Sequence, residues 1–107
     1  MAYYLFQGAY TPEALAALIK KPENRVAVVS KAIEKLGGKV IGGWFCYGEY
    51  DVVLVTELPD NVSAAAFAVA AAAGGGLKAN KTTPLLNADE TLQMLNRAGK
   101  TGYRPPE

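Results

Sequence analysis

In "WFCYGEYDVVLV", residues 44–55, two carboxylates and two tyrosines interrupt one long apolar run. Asp51 is the residue most able to do chemistry, because a carboxylate inside the start of a strand needs solvent, a partner or a ligand. If desolvated, its raised pKa would make it a general base at neutral pH. Tyr4 or Tyr50 would then give a proton to the substrate, and Arg25 or Lys81 would hold an anion. The structural alternative is an ion pair or hydrogen bonds that fix the hairpin, with Arg25 or Lys81 as partners. Trp44 and the neighbouring aromatics could line a cavity for a planar ligand, with a core or interface role as the default. Glu49, in the turn, reads as a solvated charge.

Several chemistries are excluded by composition. The 107 residues contain no histidine, which removes His-ligated haem, most zinc sites, the Ser-His and Cys-His nucleophile pairs and the commonest neutral-pH base. No cofactor or metal is expected. Cys46 is the sole cysteine, so an intramolecular disulfide cannot form and a reducing, cytoplasmic setting is expected. Without histidine to activate it, Cys46 reads as a small buried hydrophobe on the second strand. A net charge of +1 with no basic stripe gives no reason to expect nucleic acid as a partner. The apolar run "AAAFAVAAAA" at 64–73 is roughly half a membrane span, so no membrane association is expected.

The elements that must position these residues follow from local signals. "YYLFQGAY" at 3–10 reads as a strand. Thr11, Pro12 and Glu13 supply a cap, a proline at the first helical position and an acid in the first turn of a helix. Pro22 breaks that helix near Lys21, and Val26, Val29, Ile33 and Leu36 resume it until Gly37 and Gly38. Strands at 39–47 and 50–58 leave only Gly48 and Glu49 between them. That spacing predicts a two-residue II′ hairpin turn with Tyr50 packed over Tyr47. Asp60 caps a second, alanine-rich helix ending at Gly74–Gly76, a helix stop and not a phosphate cradle. Residues 77–86 form a fourth strand, placed at an edge by Pro84. Asn87 and Glu90 make a capping box for a final helix to about Ala98.

The order β-α-β-β-α-β with an added C-terminal helix predicts an α+β, ferredoxin-like sandwich spanning 1–98, followed by a tail at 99–107. Both faces of its sheet are apolar: Val53 and Val55 alternate with Val52 and Leu54, and Tyr3 and Leu5 with Tyr4 and Phe6. An uncovered apolar sheet predicts a homodimer or higher homo-oligomer, with sheets packed face to face as a barrel.

With these pieces in place, the chain resembles the GYD domain family, small proteins named for a Gly-Tyr-Asp signature. The signature corresponds to Gly48, Tyr50 and Asp51 of "GEYD". Thr11, Arg25, "GGKV" at 37–40, "GEYDVV" at 48–53 and "PD" at 59–60 carry the likeness over about residues 3–90. The resemblance implies a dimeric α/β-barrel of ferredoxin-like protomers in a family without an established activity. Its wider superfamily includes cofactor-independent monooxygenases, lactone isomerases, haem-degrading enzymes and regulatory ligand-binding modules, so the fold alone cannot choose a function. The leading expectation is a small-ligand-binding or sensing homodimer, with an apolar pocket near Asp51 lined by Tyr50, Trp44, Tyr4, Arg25 and Lys81. A cofactor-independent monooxygenase- or isomerase-like enzyme using Asp51 as base, and a structural oligomer, are the alternatives.

Overall fold

A computed structural model describes residues 1–107. The elements are β1 (Ala2–Tyr10), α1 (Pro12–Lys20), α2 (Arg25–Lys35), β2 (Lys39–Phe45), β3 (Val52–Leu58), α3 (Asn61–Ala73), β4 (Leu77–Leu85) and α4 (Ala88–Ala98). The strands form one antiparallel sheet in the order β2-β3-β1-β4. This is the ferredoxin-like arrangement that the element order predicts. Pro84 lies on β4, which pairs only with β1 and is therefore an edge.

Each helix begins where a short polar side chain replaces a missing intrahelical acceptor. Thr11, Asn24 and Asp60 accept from the amides of Ala14, Ala27 and Ser63, and Asn87 exchanges bonds with Glu90 in a full capping box. Pro22 lies between α1 and α2, where its missing N–H costs no helical bond.

Strand parity decides where the core sits. Tyr4, Phe6, Leu54 and Leu58 face the helices and pack with Ile33, Ala64 and Phe67, while Phe6 meets Phe67 edge-on at 4.9 Å. The polar members of this layer are satisfied: Thr56 Oγ1 donates to the Tyr4 carbonyl, and the Tyr4 hydroxyl donates to Asn61 Oδ1 at 2.6 Å. The opposite face carries Tyr3, Leu5, Val53 and Val55, all only half-buried, and Trp44, which is 59% exposed. No element of the same chain supplies a second layer there. α4 has no buried residue despite the apolar stripe of Leu92 and Leu95, and the Cα radius of gyration is 16.9 Å, against about 13 Å for a compact chain of nearly this length.

One local expectation is corrected. β2 ends at Phe45 and β3 starts at Val52, so the connection is the six residues from Cys46 to Asp51 and not the two-residue turn. Gly48 does adopt positive φ, at 123°, which glycine tolerates. Tyr47 is 97% exposed and does not stack on Tyr50, because the wider loop separates the positions that a tight turn would have faced. Cys46 accordingly lies just beyond β2, half-buried, its thiol donating to the Tyr50 carbonyl.

The Asp60 cap has a pH consequence. Bonds from Ser63 hold the Asp60 carboxyl below its ordinary value of 3.8. A depressed folded-state pKa contributes stability that is fully present above the unfolded value and lost as pH falls through the folded one. Asp60→Asn keeps a capping oxygen. It should therefore be slightly less stable than the parent near neutrality in thermal denaturation, and the difference should shrink below about pH 4, where the parent loses its ionised cap and Asn does not change.

Candidate functional site

The β1–α1 junction is built around Asp51. Its amide donates to the Gly8 carbonyl at 2.8 Å, its carbonyl accepts from Cys46 N–H at 2.6 Å, and its Oδ2 accepts the Tyr10 N–H at 2.8 Å. The carboxylate thus supplies one more rung where the β1–β3 ladder ends at Gly8 and Val52. On the other flank the Thr11 amide donates to the Gly76 carbonyl at 2.9 Å. Two successive amides, at the bulged end of β1, are therefore fixed from opposite sides. Of the two structural alternatives for Asp51, hydrogen bonds are present, to backbone partners, and the ion pair is not: Arg25 pairs with Glu23 at 2.8 Å and Lys81 makes no ion pair. A backbone amide already occupies the carboxylate, and Glu23 lies only two residues from Arg25 along the chain.

Fixing Tyr10 places its side chain. The ring is buried and stacks on Phe45 at 6.3 Å with a 17° interplanar angle. The Glu23 carboxylate raises the Arg25 guanidinium above its ordinary value, partial burial opposes the rise, and the Tyr10 hydroxyl adds to it.

Behind this junction lies a cavity of about 340 Å³ between α2, α3 and the sheet. Phe6, Val29, Leu54 and Phe67 form apolar walls that it shares with the core, and Tyr10, Arg25 and Asn80 also line it. The space exists because the facing residues are small. Gly8 lines it from β1, and Ala68 and Ala71 line it from successive turns of α3. A Cβ at Gly8 would come within 3.2 Å of Leu77 and 3.3 Å of Val52.

The residues singled out from the sequence are distributed unequally around this site. Arg25 and Lys81 line the cavity. Asp51 and Tyr50 lie on the loop outside it, Tyr4 is in the core with its hydroxyl on Asn61, and Trp44 is on the open side of the sheet. Tyr10, Gly8 and the valines of α2 were not among them. A glycine inside a strand marks a close approach, and Gly8 was the available signal. No three Cys, Asp or Glu side chains come together as a metal-binding group. No helix is long and apolar enough to cross a membrane.

The architecture is that of a ferredoxin-like α+β protein. The GYD domain family matches residues 4–95, and the chain belongs to that family. No curated protein matches it. Among solved structures it is similar to the crystal structure of FFRP-DM1, at 15% identity over 80% of this chain and 100% of that one, with a TM-score of 0.49. It is also similar to the crystal structure of hypothetical protein PHS023 from Pyrococcus horikoshii, at 12% identity over 81% and 92% of the two chains, with a TM-score of 0.51. At that identity the likeness shows the fold alone.

The role of Asp51 is testable through one amide. Asp51→Ala should lower stability by about 1–3 kcal/mol, the cost of a lost charge-assisted bond and a stranded donor. Asp51→Asn, which retains an acceptor oxygen, should lose less. Native-state hydrogen exchange should show the Tyr10 amide losing protection in Asp51→Ala well beyond the change at core amides. A Tyr10 amide as well protected in Asp51→Ala as in the parent would show that the carboxylate does not hold it.

Proposed function

We propose that this GYD-family protein binds or senses a small, largely apolar ligand, and does so as a homodimer. The cavity beside Tyr10 carries the first part of the reading. At about 340 Å³ it falls at the small end of the range of ligand pockets, and its walls are apolar with a few polar groups at the edge. The space is partly open to solvent, so a ligand can enter it without rearrangement of the core. Catalysis by Asp51 gains no support from its placement, because the carboxylate is engaged by a backbone amide outside the cavity. A purely structural role leaves the cavity without a purpose.

The homodimer rests on the bare sheet. Tyr3, Leu5, Val53, Val55 and Trp44 make a contiguous apolar face of the kind that soluble monomers rarely leave open. A second copy supplies the missing layer, and the projecting α4 offers a further apolar stripe to the same contact. The single cysteine fits a cytoplasmic setting.

Two measurements test the reading. Neutral apolar compounds such as indole should raise the melting temperature of the protein, with a ligand at a hundred times its Kd adding about 2.7 kcal/mol. Ala71→Phe, which fills the cavity, should abolish the shift while retaining the far-ultraviolet circular dichroism of the parent. Sedimentation equilibrium should give a dimer that Leu5→Glu converts to monomer; a monomeric parent would contradict the assembly.

A further inference from the structure

The charged groups around the cavity are of one sign. Arg25 and Lys81 line it, and neither aspartate nor glutamate does. Lys81 pairs with Gln7 in the register that places side chains on the open face of the sheet, so Arg25, at the start of α2, is the cation on the helix side, where it borders this cavity and the neighbouring clefts that Glu23 also lines. Glu23, its partner, does not line this cavity and engages Nη1 from outside. A guanidinium has five N–H donors in a planar fork. Glu23 takes one and the Tyr10 hydroxyl lies close by, which leaves donors for a further acceptor.

From this arrangement we infer that the ligand is an anionic amphiphile, a carboxylate on a short aliphatic or aromatic body, with its head on Arg25 and its body among Val29, Leu54 and Phe67. This rests on the cavity being a ligand site. The guanidinium geometry suits a planar carboxylate, which can take two parallel bonds from the fork. The apolar walls require the rest of the molecule to be uncharged. An amine in the same place would meet a like charge, and no acidic side chain lines the cavity to balance it.

Octanoate, octan-1-ol and octylamine, which share one chain and differ in the head, form the test, below their micelle concentrations. Binding is followed by calorimetry and by the amide resonances of Gly8, Ala71 and Gly76. Octanoate should bind roughly tenfold more tightly than octan-1-ol, as expected of a partly exposed charge-assisted bond, and octylamine most weakly. Arg25→Met should bring acid and alcohol to parity. Glu23→Gln, which removes the competing carboxylate, should tighten octanoate alone. Lys81→Met should leave the preference unchanged. Equal affinity for acid and alcohol in the parent, or a preference that survives Arg25→Met, would overturn the anionic head while leaving the cavity a ligand site. Failure of all three probes to shift the cavity amides would overturn both.

Discussion

The bond from the Tyr10 amide to the Asp51 carboxylate is the constraint on which the functional end of the molecule depends. It joins residues 41 apart in the chain, at the point where the central strand gives way to the first helix. A strand ending in a bulge leaves an amide without a ladder partner, and a buried amide without an acceptor costs about 1–3 kcal/mol. Asp51 supplies that acceptor, and Gly76 supplies the next one to Thr11. The direction in which β1 leaves the sheet is thereby set, and with it the position of the Tyr10 ring against Phe45 and beside Arg25. Asp51 accepts the amide of Tyr10, and the Tyr10 side chain in turn lines the cavity.

The cavity itself follows from a choice of small side chains. An alanine-rich helix has high intrinsic propensity, so α3 forms without large residues to drive it. Phe67 anchors it in the core, and Ala68 and Ala71 then leave space over Gly8 that larger side chains would fill. Only 11 of the 107 residues are buried, which means that this core is thin and that much of the apolar surface of one chain has no cover within it. The cavity and the bare sheet are on opposite sides. The proposed ligand and the proposed second copy would therefore not compete for surface.

Most of the fold was legible because its signals are local. Thr11, Asp60 and the Asn87–Glu90 box each act within three residues, so their side-chain types announce the helices that they begin. The Asn24 cap is equally local, but it lies two residues after Pro22, inside the break between α1 and α2. What the sequence obscured was governed by distant contacts. Gly48 reads as a tight hairpin turn, yet the loop length is set by the bonds of Asp51 to Gly8 and Tyr10, which no local pattern records. In the same way Arg25 was legible as a cation near a site, while the acid that it meets, Glu23, was hidden among a run of charged residues beside a proline. The cavity was the least legible feature, because it is an absence of side-chain volume created by two elements far apart in sequence.

The claim that most needs a direct measurement is that the space between α2, α3 and the sheet is a persistent, apolar site. Diffraction from a crystal of the full chain under xenon pressure reports this without any choice of ligand, since xenon enters dry apolar cavities. A xenon atom should be found bounded by Phe6, Val29, Leu54 and Phe67. A region closed by Phe67 and Leu77, with no xenon and no free volume, would contradict it.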